Sequence, residues 1–196
     1  MKPSRRLLCL LCLVVSALSG ASIRAADSIG YFDAINSDPA PVVGQQYYTR
    51  YSFVYEKGLY ETTNYSRGEL VPINTQVTVL SLGGETMVLQ LATGGTVKVQ
   101  NREKVSQRDM AQIAHAMLSP HPVPIEKFDE ATANSIKSGI LKLGMTKEQV
   151  VMTRGYPPGH KTPSLDGDVW TYWSSRFVVD TLVFSNGVLT QGRGLR

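Results

Sequence analysis

Between residues 45 and 100 the apolar side chains recur at every second position in short runs, the period of a half-buried β-strand. Val77, Val79 and Ser81 alternate with Thr78 and Leu80 up to Gly83-Gly84. Met87 to Leu91 repeats the pattern, and Val97 to Val99 follows a turn at Thr93-Gly94-Gly95. Ahead of these, Tyr47, Tyr48, Tyr51, Phe53, Tyr55 and Tyr60 are interrupted only by Lys57-Gly58, which predicts two strands around a turn. Such a run can be a stacking platform for sugar or peptide, but a barrel wall uses the same residues, and the wall is the reading preferred. Short strands divided by glycine turns predict a small β-barrel over residues 45–119 that ends in a helix. That helix is predicted to open at Ser106, with Met110, Ile113, Ala114 and Met117 on one face as a lid.

Three prolines in Ser119-Pro120-His121-Pro122-Val123-Pro124 then predict an extended connector over residues 120–126 and a boundary between two small domains. In residues 127–196 the period is first helical, from about Phe128 to Ser138, and again in a short helix with every boundary signal. Thr146 is placed to cap the first turn, Gln149 to reach back to the cap, and Met145 to staple onto Val150. Gly155 supplies a left-handed stop, and Pro157-Pro158 forbids continuation. Trp170-Thr171-Tyr172-Trp173, the alternating run from Phe177 to Phe184, and Val188-Leu189 after Asn186-Gly187 predict antiparallel strands, the last pair joined by a type I′ turn. The chain is therefore expected to be α+β.

Charge changes little once its location is known. The formal net charge is +4, but Lys2, Arg5, Arg6 and Arg24 all precede the first acidic residue, Asp27; without the first 25 residues the chain holds 16 basic and 16 acidic side chains. A neutral chain with no basic run lacks the electrostatic footprint of a nucleic-acid binder. The basic start, the apolar core from Leu7 to Leu18 and the small residues at Ser19-Gly20-Ala21 and Ala25-Ala26 read as a signal peptide over residues 1–25, with the cut after Ala21 or after Ala25. Its core is shorter than the roughly 20 residues a membrane span needs, so no transmembrane helix is expected after cleavage. Residues 26–44 read as an irregular lead-in or tether. Cys9 and Cys12 both lie in the leader, so a disulfide, a cysteine nucleophile and a cysteine-ligated metal are excluded from the mature chain.

Taken together, Leu143-Gly144-Met145-Thr146, the segment from Val150 to Pro157, Trp170-Thr171-Tyr172 and Phe184-Ser185-Asn186-Gly187 resemble the SmpA/OmlA (BamE-like) domain. The resemblance covers the last third of the chain. It implies two helices packed on a three-stranded antiparallel sheet, used in the bacterial envelope as an accessory of outer-membrane protein assembly, and it carries no catalytic residue. Proteins of that family typically bear a lipid on a cysteine at the cleavage site. Here no cysteine stands there, which favours a free periplasmic form. The phrase Gly68-Glu69-Leu70-Val71-Pro72-Ile73-Asn74-Thr75, with the strands after it, is similar to bacterial SH3-type domains, which implies an SH3-like barrel with a binding role.

No cofactor or metal is expected. His115, His121 and His160 match no ligand template, and no nucleophile elbow accompanies His160 with Asp166 or Asp168. The Gly83-Gly84 and Gly94-Gly95 pairs fit no phosphate-binding pattern and read as hairpin turns. No enzyme is expected. The aromatic residues are the chemistry on offer: Tyr156 with Pro157 and Pro158, and Trp173, are candidate protein-binding residues. Strand alternation puts Trp170 and Tyr172 on one face and Trp173 on the other, so Trp170 is expected in the core and Trp173 outside it. The function expected is a non-catalytic accessory of the cell envelope with a protein partner, such as outer-membrane assembly components. A cell-wall or peptide-binding module, with peptidoglycan as partner, and a secreted enzyme inhibitor are the alternatives.

Overall fold

The computed structural model describes Phe32, Ile35, residues 38–63 and residues 67–195. The signal peptide assigned to residues 1–25 lies outside the described residues. The first unit is built on a six-stranded sheet in the order β3-β7-β6-β5-β1-β8. Its strands are β1 (Gln46–Thr49), β3 (Leu59–Glu61), β5 (Gln76–Gly83), β6 (Thr86–Leu91), β7 (Thr96–Gln100) and β8 (Leu118–Ser119). All its pairings are antiparallel except β3 with β7. A separate pair, β2 (Phe53–Tyr55) and β4 (Glu69–Val71), lies beside it.

The sheet curls over a core containing Tyr47, Tyr51, Phe53 and Tyr60 from the aromatic run and Val77, Val79, Met87, Leu89, Val97 and Val99 from the strands. Leu80 is exposed, as its alternation with Val79 requires, but the alternation breaks at Ser81, which is exposed as well. The register slips there, because Val79 faces Leu89 while Ser81 faces Val88. That extra residue is a β-bulge, and it brings Leu82 opposite Met87, against the core.

The expected start of the lid helix at Ser106 is corrected. Ser106 ends a separate short helix, α1 (Glu103–Ser106), and Gln107 at φ 60° stops it. The lid is α2 (Met110–Met117), capped by Asp109, whose carboxylate accepts the Gln112 N–H while the Gln112 side chain accepts the Asp109 N–H. Met110, Ile113, Ala114 and Met117 are all buried, as the helical spacing requires.

The second unit has α3 (Glu130–Lys137) and α4 (Lys147–Arg154) on a three-stranded antiparallel sheet ordered β11-β10-β9: β9 (Val169–Ser175), β10 (Val178–Ser185) and β11 (Val188–Gly192). Helix α4 carries the expected capping box, with Gln149 N–H donating to Thr146 Oγ1 at 3.3 Å and Thr146 N–H to Gln149 Oε1 at 2.9 Å. Met145 and Val150 are buried in one core with Trp170, Tyr172, Leu182, Phe184 and Leu189. Asn186 and Gly187 have φ of 51° and 77°, the left-handed pair of a type I′ turn. Gly155 departs from expectation. Its φ is 76° but its ψ is −174°, so the stop is an extended, positive-φ conformation instead of a left-handed helical one.

The two units are knit by hydrogen bonds. Ser52 N–H donates to the Met152 carbonyl at 2.8 Å, and Ser52 Oγ donates to the Ile136 carbonyl at 2.7 Å. In the proline segment Val123 and Ile125 are buried in the second core, and the Asn74 amide both donates to and accepts from the Val123 backbone. In the lead-in, Ile35 is buried in the same core and Phe32 packs on Tyr156. The fold is mixed α+β: a curled sheet with a lid, and a helix-on-sheet unit pressed against it.

Candidate functional site

Where the units meet, the break between α1 and α2 places Arg108 opposite the segment leaving α4. A buried network holds its backbone. Thr62 Oγ1 and Ser106 Oγ donate to Asn101 Oδ1 at 2.9 and 2.8 Å, and Asn101 Nδ2 donates to the Arg108 carbonyl at 2.7 Å. From the other unit, Gly155 turns the chain so that Tyr156 comes between the two cores. Its ring lies 6.0 Å from Tyr51 and 6.2 Å from Phe32, and the Arg108 guanidinium sits 4.2 Å from its centroid. A cleft of about 550 Å³ opens beside this junction, lined among others by Tyr51, Tyr60, Arg108, Ile113, Tyr156 and His160.

The walls of the cleft are fixed to each other. A Cβ on Gly159 would lie 2.5 Å from the Ser106 carbonyl oxygen, so only glycine allows the loop this close to α1. Both the backbone N–H and Nδ1 of His160 lie 3.1 Å from the Val105 carbonyl oxygen, so Nδ1 carries the proton. Gly159→Ala is therefore expected to lower stability by about 1–3 kcal/mol through overpacking at the junction. Thermal unfolding of the variant measures this; an unchanged midpoint would show that the loop yields freely.

Burial sets the protonation of the tyrosines. Desolvation raises Tyr51 well above the ordinary tyrosine value, and it pushes Tyr60 and Tyr156 up to about 12, Tyr156 against the opposing pull of Arg108. All three are neutral at physiological pH. Among the described residues no Asp or Glu lines the cleft, and none forms an ion pair with Arg108. The other half-buried or buried arginines have such partners: Arg50 pairs with Asp38, and Arg154 with Asp180 at 3.0 Å.

A second surface is the outer face of the three-stranded sheet. Alternation turns Trp170 and Tyr172 inward and sets Val169, Thr171 and Trp173 outward, across from Val183, Thr181 and Val179. Val169 and Val179 are exposed, and Phe177 at the tip of the β9–β10 hairpin is 84% exposed. Each sheet edge is occupied in part. Gly144 N–H donates to the Leu189 carbonyl and Leu189 N–H to the Met145 carbonyl along β11; Thr162 Oγ1 accepts the Thr171 N–H on β9.

The candidate binding residues are divided by this geometry. Tyr156 is half-buried at the junction, Pro157 and Pro158 are buried behind it, and Trp173 is half-buried on the outer sheet face. The Trp173 ring stacks on His160 with centroids 6.3 Å apart and planes 12° from parallel, so it bridges the two surfaces. Arg108, Tyr51 and Tyr60 join the site from the first unit; the two tyrosines belong to the aromatic run that reads as a barrel wall or a stacking platform, whereas nothing in the local sequence marks Arg108, whose lack of an acidic partner among the described residues shows only in the fold. His160 meets neither Asp166 nor Asp168 in a hydrolytic set, for those residues attend Lys147, through the Asp166 carbonyl at 2.7 Å and the Asp168 carboxylate at 3.6 Å. Among the described residues no group of three His, Cys, Asp or Glu converges to hold a metal, and no helix is long and apolar enough to cross a membrane. Comparison with protein families, with curated proteins and with solved structures found no match.

Proposed function

We propose that the protein is a non-catalytic, periplasmic accessory of the cell envelope that holds a protein partner on the outer face of its three-stranded sheet. The observation that carries the reading is that face itself, where Val169 and Val179 stay exposed beside Trp173, with Phe177 exposed at the hairpin tip next to it. Leu189 on one edge and Thr171 on the other are already hydrogen-bonded, so the side chains of the face are the surface offered, and a rigid aromatic beside an apolar patch is the usual anchor. The likeness of the Gly144-Met145-Thr146 helix and the strands after it to the SmpA/OmlA (BamE-like) arrangement, and of the first unit to an SH3-like barrel, supports a binding role. It directs the search to outer-membrane assembly components.

Affinity capture from envelope membranes after mild crosslinking tests the proposal. The unaltered chain is expected to recover outer-membrane assembly components, and Phe177→Ala, which removes a ring that contributes almost nothing to the core, is expected to lose most of them with unchanged thermal unfolding. Equal recovery by both chains, or recovery of none of those components, would remove the reason for the assignment. Sedimentation with purified peptidoglycan by the unaltered chain would move the function to the cell wall instead.

A further inference from the structure

The outer sheet face leaves the cleft between the units unexplained, and the cleft has a chemistry of its own. Its one arginine is held by a buried network and lies against a tyrosine face. The guanidinium lies over the ring and also hydrogen-bonds the Tyr156 side chain, and no carboxylate among the described residues takes its remaining N–H groups. Around it stand neutral tyrosines and the hydroxyls of Thr62, Ser106 and Thr162, with Ile113, Pro157, Pro163 and Leu165 supplying apolar wall. At about 550 Å³ it has the size of a small-ligand site, roughly 300–1,000 Å³. Its walls are locked by the Gly159–Ser106 approach and the His160–Val105 hydrogen bonds, so little ordering cost remains for a ligand to meet.

We propose that this cleft binds a carboxylate carried on an apolar body, with Arg108 as the partner of the carboxylate and the tyrosine and proline walls receiving the rest. The charge argument selects the anion. An arginine without a carboxylate partner, in a cleft that no Asp or Glu lines among the described residues, is electrostatically complementary to one negative group and repels a cationic one. The walls select its attachment, since a bare anion would leave the apolar surface wet. Two sources share this chemistry: the free C-terminus of a peptide and a small carboxylic acid. The inference does not depend on the sheet-face reading, because Phe177 does not line the cleft.

The test is titration of the full chain, followed by calorimetry and by NMR, with the peptide acetyl-Ala-Ala-Leu as free acid, with its C-terminal amide, and with phenylacetate. The free acid is expected to bind and the amide to bind at least tenfold more weakly. Arg108→Gln should lose the acid by a similar factor, whereas Arg108→Lys keeps part of the affinity and Phe177→Ala keeps all of it. Preference for the peptide over phenylacetate assigns the site to chain termini, and the reverse order to small acids. Absence of binding by both acids at millimolar concentration, or equal binding of acid and amide, overturns the proposal without recourse to any variant. So does full affinity in Arg108→Gln.

Discussion

Trp170→Ala is expected to lower folding stability by about 3–5 kcal/mol, whereas Trp173→Ala, three residues along the same strand, should cost about 1 kcal/mol or less. Trp170 is fully buried, with its ring 4.7 Å from Phe184, and deleting it opens a cavity in the middle of the second core that helix α4 and strand β10 cannot both collapse to fill. Trp173 is half-buried on the opposite face and touches His160 in the loop. Its loss removes one stacking contact and no core volume. Chemical denaturation of the two variants gives the difference directly. Partner capture by Trp173→Ala then reports on function, and it should fall while the fold persists. Equal destabilisation by the two substitutions would mean that both rings are core and that the outer face has no anchor at Trp173.

The contrast between those two residues also shows what the chain's pattern can carry. Period-two alternation is a local property, so it separates Trp170 from Trp173 without any tertiary knowledge, and the capping box of Thr146 with Gln149 is equally local. Failures come where a neighbour in space decides. Ser106 looks like a helix start because a serine precedes an amphipathic run, but its hydroxyl is committed to Asn101, and the capping role falls to Asp109 with Gln112 three positions later. Ser81 is in phase with the buried Val77 and Val79 yet faces solvent, because a bulge that only the partner strand reveals shifts the phase. By sequence Tyr156, Pro157 and Pro158 offer a binding surface after a helix stop. The two prolines are buried, and the first unit presses Tyr51 and Arg108 on the tyrosine, which no property of the local segment announces. The cleft follows the same rule: it is assembled from α1, α2, β3 and the loop after α4, and its chemistry belongs to no single stretch.

Gly155→Val is expected to be nearly as damaging as loss of the Trp170 ring, and for a backbone reason. At φ 76° and ψ −174° the residue occupies a region that is essentially closed to side chains, where the strain alone is on the order of 1–3 kcal/mol and a β-branched residue is the worst tolerated. Gly155 cannot relax cheaply, because its two ends are held. Its N–H donates to the Val151 carbonyl at 2.7 Å, closing α4, and its carbonyl accepts the buried Tyr172 hydroxyl at 2.8 Å. Shifting φ to accommodate valine would break one of these, leaving a buried donor unsatisfied at a further cost of about 1–3 kcal/mol. It would also redirect Tyr156, which is the next residue and the piece shared by both cores. The expected result is a loss of several kilocalories in denaturant unfolding, with Gly155→Ala intermediate because alanine meets the same φ without branching. A second readout separates this effect from simple core damage: in any Gly155→Ala protein that remains folded, the NMR signals of Tyr156 and Arg108 should move while those of the β5–β6 hairpin stay in place. Unchanged unfolding of Gly155→Val would show that the chain leaves α4 by another route and that the junction does not depend on this turn.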